Sequence, residues 1–181
     1  MSTCDHIVLM ALYNEWMNAK LYGAASSLSA QELAADRKAF FGSLTGTLNH
    51  ILVADTIWLK RFAMHPSGHP ALDPIRSLAA PASLDELLFT DIDALCSHRK
   101  ILDGIIRQWA AALTEEDLSH VLRYTNMKGV TAQKRFASLV MHFFNHQTHH
   151  RGQASALLSQ AGVDVGVTDL LALIPDEASG R

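Results

Sequence analysis

The chain has 181 residues, 49% of them hydrophobic and 18% charged, with a formal net charge of −3. At this length one domain, residues 1–181, is expected, large enough to bury roughly 70% of its unfolded surface. No helical pattern carries a basic stripe, which excludes the electrostatic footprint of a nucleic-acid binder, and no run of about 18 apolar residues exists to span a membrane.

Residues 5–25 predict the first long helix, with Asp5 as N-cap or first-turn acid and Ile7, Met10, Ala11, Met17 and Leu21 on its apolar face. Ser26, Ser27 and Ser29 end it. Ser29-Ala30-Gln31-Glu32 has capping-box spacing and opens the next helical region, leaving open whether 32–38 is a separate short helix. Residues 39–63 predict a second long helix with two apolar faces. Phe41, Leu44, Leu48, Ile51, Trp58 and Phe62 form one; Ala39, Ser43, Gly46, His50, Ala54 and Ile57 form the other. His50 sits among small residues, where another helix can approach closely. It reads either as a core histidine or as a ligand reaching across to that helix. Asp55 reads as an inter-helix salt-bridge partner or as an acceptor for an imidazole N–H.

Residues 65–82 hold Pro66, Pro70, Pro74 and Pro81, four of the five prolines, and predict a surface loop with His65 and His69 solvated. Ser83-Leu84-Asp85-Glu86 is a second capping-box pattern, predicting a third long helix over 83–113 with Asp91 and Asp93 on its solvated side. Gly104, in mid-helix, is expected to mark a tight helix crossing. After an acidic turn at Thr114-Glu115-Glu116-Asp117, residues 121–125 alternate, Asn126-Met127-Lys128-Gly129 makes a turn, and 130–132 return: a small β-hairpin. Residues 133–161 predict the fourth long helix, with Gly162 at C′. Thr168 or Asp169 caps a short last helix, 170–174, before Pro175, and 178–181 are expected to fray. The fold class is therefore all-α: a four-helix, up-down-type bundle with a small β-hairpin between helices three and four and a short C-terminal helix.

Four of the ten histidines, His142, His146, His149 and His150, lie within nine residues of the fourth helix. At about 100° per residue, Phe136, Leu139, Phe143, Ala154 and Leu157 share an arc of roughly 60°, and His146 and His150 fall in or beside it. His142 and His149 lie on the flank. Imidazoles at i and i+4 on a buried face converge on one point above the helix and suit a metal ion; two core histidines bonded to neighbouring helices are the alternative. A His-Glu-x-x-His peptidase is excluded, because the place of its general base is taken by Gln147, which cannot accept a proton.

The segment Asn145-His146-Gln147-Thr148-His149-His150-Arg151-Gly152-Gln153 resembles the Asn-His-x-x-x-His-Arg-Gly-Gln signature of DinB-like proteins. Leu12-Tyr13-Asn14-Glu15-Trp16, Thr47-Leu48-Asn49-His50-Ile51-Leu52 with Trp58, and Thr168-Asp169-Leu170 extend the resemblance over nearly the whole chain. It implies one divalent metal (zinc, nickel or ferrous iron) bound by His50, His146 and His150. The helical wheel picks the same two signature histidines; the place of His50 in the set rests on the resemblance. His149 stands where the family often has an aromatic and is not a ligand. His142 and Gln153 are expected, at most, to support the ligands, and Arg151 to pair with a carboxylate or, failing that, to bind an anion.

Three neutral imidazoles leave at least one coordination position open, the mark of a catalytic site. Related families imply activation of a low-molecular-weight thiol, such as mycothiol or bacillithiol, for transfer or isomerisation of a small-molecule substrate. The alternative of a different class is a non-catalytic, dimeric metal-binding protein in stress or sensing; the third is a bundle with buried histidines and no metal. The low charge density predicts a homodimer. Cys4 and Cys96, far apart and without a C-x-x-C, fit reduced thiols, and no signal peptide is expected, so the expected location is cytoplasmic.

Overall fold

The protein is described here by a computed structural model covering residues 2–176; the fraying expected at 178–181 lies outside them. Four long helices are joined by three short ones and one hairpin. They run in the order α1 (Thr3–Ala25), α2 (Ala30–Ala34), α3 (Leu44–Phe62), α4 (Asp73–Ser77), α5 (Ile92–Ala112), α6 (Glu115–Ser119), β1 (Val121–Thr125), β2 (Thr131–Arg135) and α7 (Phe136–Gln160). A 3-10 turn follows at Leu170–Leu173, where the short last helix was expected. The all-α reading with a single antiparallel hairpin holds, with Val121 opposite Arg135 and Thr125 opposite Thr131.

Local chemistry sets most of the boundaries. Ser2 caps α1 and Asp5 completes its capping box, so Asp5 is a first-turn acid. Ser29 and Glu32 do the same for α2, which is a helix of its own. Thr114 and Asp117 form a third box at α6. Gly162, at φ 79°, takes the left-handed position just after α7.

The long helices form a ring in which α1 packs on α5 and α7, and α3 packs on α7 and, over a shorter stretch, on α5. Two of the three consecutive pairs of long helices, α1 with α3 and α5 with α7, therefore face each other along diagonals, and their connections cross the bundle, while α3 and α5 are neighbours. This connectivity makes α3 and α7 neighbours. Phe62, Trp109, Phe136 and Phe143 fill the core between them, with Phe62 stacked on Trp109 at 5.2 Å and edge-on to Phe136 at 5.2 Å. Truncating any one of these to Ala would cost about 3–5 kcal/mol.

Three expected boundaries are corrected. The second long helix starts at Leu44, capped by Ser43, rather than at 39. Residues 37–42 form a tight loop, with Lys38 and Gly42 at positive φ. That loop needs Gly46, because a Cβ there would stand 2.2 Å from the Phe41 carbonyl oxygen. The third long helix starts at Ile92, not 83. The Ser83 hydroxyl donates to Asp85 and the Glu86 carboxylate accepts from the Ala82 N–H, both within an irregular segment; Asp91 is the true N-cap, accepting from the Ala94 N–H at 2.8 Å. The fourth starts at Phe136, since residues 131–135 are taken up as β2. Gly104 marks no tight crossing: a Cβ there would meet nothing within 4 Å.

The largest correction concerns 65–82. Leu72 and Ile75 are fully buried, and His65 and His69 are 5% and 4% exposed rather than solvated. The segment folds back on the bundle, because its apolar residues can only be hidden there.

Candidate metal centre

His50 comes from the middle of α3; His146 and His150 come from successive turns of α7. The structure brings these three together: one ring nitrogen of each lies within 4.8 Å of the others, an arrangement that could hold a metal ion. Ring centroids are 4.4 Å apart for His50–His150, 4.4 Å for His146–His150 and 5.3 Å for His50–His146. His50 is buried, and the other two are half-buried.

Two of the three rings, those of His50 and His150, are aimed by specific contacts. The Nδ1–H of His50 donates to the Leu84 carbonyl at 2.7 Å. That carbonyl belongs to the irregular segment before α5. The same segment is pinned to α3 by Asn49, whose amide donates to the Phe89 carbonyl at 2.8 Å and accepts from the Phe89 N–H at 3.0 Å. Phe41 lies flat on His50, with centroids 3.8 Å apart and planes 18° from parallel. The Nδ1–H of His150 donates to Gln153 Oε1 at 2.8 Å. Such outer contacts fix tautomer and ring orientation in metal sites. With both Nδ1 atoms protonated, both Nε2 atoms carry lone pairs, and these stand 3.2 Å apart. Neither can then donate to the other. Two nitrogen ligands at about 2.0–2.1 Å from one tetrahedral ion stand about 3.3 Å apart, so the spacing fits a shared cation.

The electrostatics keep the imidazoles neutral. Burial pushes His50 and His150 below the ordinary imidazole value. Burial, together with the neighbouring His150, His50, His142 and His149, pushes His146 down to about 3. A neutral ring is the ligand form.

The remaining residues singled out in the sequence fall into separate roles. Asp55 bonds to no imidazole; it is the inter-helix salt-bridge partner, 2.5 Å from Arg99 and accepting from Gln147 at 2.9 Å. Arg151 is buried, donates to Asn14 and Thr148, and lies over the Tyr13 ring at 5.2 Å, so its closest acceptor is an amide oxygen rather than a carboxylate. His149 is not among the three converging histidines; its ring lies 4.8 Å from that of His150 and its Nε2 meets the Gln153 amide at 3.3 Å. His142 makes no hydrogen bond to the triad; its ring stands edge-on to Trp58 at 5.0 Å and 5.8 Å from that of His146.

Two features lay outside the sequence reading. One is the Leu84 carbonyl, hidden because a backbone acceptor has no residue signature. The other is a cleft of about 290 Å³ over His50 and His146, walled by Trp58, Arg61, Met127, Lys128 and His142. The hairpin turn forms one of its sides. Arg61 is held above the Trp58 and Tyr124 rings, at 4.6 and 5.1 Å.

The sequence profile of the DinB family matches residues 1–178. The chain is similar to "Protein DinB" of Bacillus subtilis (strain 168), 26% identical over 159 residues, which is 87% of each chain. No solved structure matches it. No helix among the described residues is long and apolar enough to cross a membrane. A family profile that spans the bundle from end to end, with its histidine signature at the point where α3 and α7 meet, assigns the chain to the DinB family.

Proposed function

We propose that the chain works as one domain and is a metal-dependent enzyme, in which His50, His146 and His150 hold a single divalent ion with an open coordination position facing the cleft. One observation carries the reading: two Nε2 lone pairs face each other at 3.2 Å while both Nδ1 atoms are tied to acceptors. Zinc, nickel and ferrous iron all suit three imidazoles. A bound ion of this kind lowers the pKa of a coordinating thiol or water and polarises a carbonyl.

The chain's own residues fit a small thiol as the activated group. Trp58 and Met127 give the cleft apolar walls, and Arg61 and Lys128 put positive charge beside them, which suits a small molecule with an anionic end. Burial and the charge of Arg61 hold His142 below the ordinary imidazole value, so its neutral ring can accept the proton a thiol releases. Thiol transfer to an electrophile, or thiol-assisted isomerisation, is the reaction class. The homodimer and a cytoplasmic location belong to the same reading. An apolar groove of about 630 Å³ between α1 and α7, which includes Met10 and the exposed Met141, supports the dimer.

The test is turnover of a panel of low-molecular-weight thiols with an electrophile by the metal-replete protein. Metal-dependent transfer, abolished in His146→Ala and weakened mainly in KM by Lys128→Ala, is the expected result. A metal-loaded protein inert toward the whole panel would instead favour a non-catalytic role in stress or sensing.

A further inference from the structure

A second cluster of ligand-type side chains lies away from this centre, where the loop after α3 meets α6. His65 follows the end of α3, His69 lies across a Pro66-Ser67-Gly68 turn, and Asp117 comes from α6. All three are buried, at 5%, 4% and 8% exposure. One nitrogen of each ring and one carboxylate oxygen lie within 4.8 Å of one another. The two rings stand 4.9 Å apart, and that of His120 lies 4.7 Å from His65.

Hydrogen bonding accounts for part of the cluster only. His65 Nε2–H donates to the Asp117 carbonyl at 3.3 Å, and the Ser67 N–H donates to Nδ1 at 3.2 Å. The Asp117 carboxylate accepts at Oδ2 from the Thr114 N–H and hydroxyl, and at Oδ1 from the Ser67 hydroxyl. His69 is different: its Nε2 is buried with no hydrogen-bond partner among the described residues. An unmatched buried nitrogen costs about 1–3 kcal/mol. The residue also sits at φ 31°, a left-handed conformation that a side chain other than glycine's resists. In addition, His65 Nδ1 and Asp117 Oδ1, both acceptors, stand 3.9 Å apart.

We propose that His65, His69 and Asp117 form a second divalent-cation site, of the zinc class, that clamps the post-α3 loop to α6. Two imidazole nitrogens and one carboxylate oxygen are a zinc donor set, and a His-x-x-x-His pair is within the spacing such sites use. The donors carry the required charges. Burial keeps both imidazoles neutral, while hydrogen bonds from Ser67 and Thr114 outweigh the burial of Asp117 and hold its carboxyl below the usual range. The cation gives the His69 nitrogen its partner and lies between the two acceptors, attracting both. It replaces the long Ser67 N–H contact and draws Nδ1 and Oδ1 together by a few tenths of an ångström, toward the separation of about 3.3 Å expected on one ion. A shallow cavity of about 460 Å³, bordered by His120 and Glu116, leads to the cluster and supplies the fourth ligand as His120 or water. The site shares no residue with the α3–α7 centre and does not depend on it.

Zinc titration with elemental analysis of the full chain tests this. The doubly substituted His50→Ala, His146→Ala protein is expected to retain one equivalent of zinc per chain, and adding His69→Gln is expected to remove it. In the same double variant, stoichiometric zinc should shift the ring ¹⁵N resonances of His65 and His69, a readout that needs no further substitution. A folded double variant that binds no zinc, or whose His65 and His69 resonances do not move, overturns the site. Wild-type protein that binds one ion, kept in the double variant and lost on His69→Gln, would uphold this site while removing the α3–α7 centre.

Discussion

Two polar clusters sit in the same bundle and differ in how their charges are paired, although in the first Arg99 Nε, Asn18 Oδ1 and Gln147 Oε1 are buried without a hydrogen-bond partner among the described residues. Around Asp55, Arg99 and Asp103, every charge has an opposite charge beside it. Arg99 is 2.5 Å from Asp55 and 2.9 Å from Asp103, Gln147 donates to Asp55, and Asn14 and Asn18 donate to Asp103 at 3.0 and 2.8 Å. Among them these residues draw on all four long helices. The histidine cluster between α3 and α7 is matched only on its outer side. Its inner side presents lone pairs to lone pairs and opens on a cleft. Opposite charges hold the first cluster together without an ion; the second has the donor set that could hold one. The contrast separates polar groups that hold the bundle from those we propose to bind an ion.

Breaking the matched cluster should have the larger effect on stability. Arg99→Ala leaves Asp55 and Asp103 buried without their cation and is expected to cost about 3–5 kcal/mol in urea unfolding. Metal content of the folded fraction should not change. If Arg99→Ala emptied the α3–α7 centre while the protein stayed folded, the two clusters would not be separate.

Loosening the unmatched cluster should spare the fold. Gln153→Ala removes the acceptor that fixes the His150 tautomer, and is expected to weaken metal binding about 10–100-fold, read by competition with a chelator. Its unfolding midpoint without metal should stay close to wild type. Unchanged affinity would mean that the Gln153 contact does not aim the ring.

A third test is a pH dependence of the metal-free protein. His146 is pushed from 6.5 to about 3, so the unfolded chain takes up a proton over an interval in which the folded chain refuses it. Stability therefore falls as pH drops from about 6.5 toward 3. Asp103, raised by burial to about 6, acts in the opposite sense, gaining its proton first in the folded state. The histidine contribution is thus the difference between wild type and His146→Ala across this range, and that difference should shrink on acidification. Parallel curves would mean that His146 is not held neutral.

Much of this contrast was legible in the sequence. The 3.6-residue period placed His146 and His150 on the buried side of α7 without reference to any family. Strand alternation around Asn126-Met127-Lys128-Gly129 gave the hairpin that now borders the cleft. His50 was less legible, because a lone histidine on a small-residue face has the same pattern whether it is a ligand or a core residue; its place came from the family signature. Two signals misled for physical reasons. The Ser83–Glu86 pattern is a local one, and here a tertiary demand overrides it, since the segment must stay irregular to carry the Leu84 carbonyl to His50. The proline-rich stretch from His65 reads as surface by composition, yet composition is silent on which loop docks against which helix. His65 and His69 were misplaced for that reason.

The diagonal connectivity also governs when the centre can exist during folding. His50 and His150 are 100 residues apart in the chain, and the Leu84 carbonyl that orients His50 lies 34 residues after it. Contacts so distant in sequence close late, after local helices have formed. A ribosome-bound chain that has made α1 through α5 holds one of the three imidazoles and no preformed cage. On the proposed reading, cation capture is thereby confined to molecules whose last helix has docked.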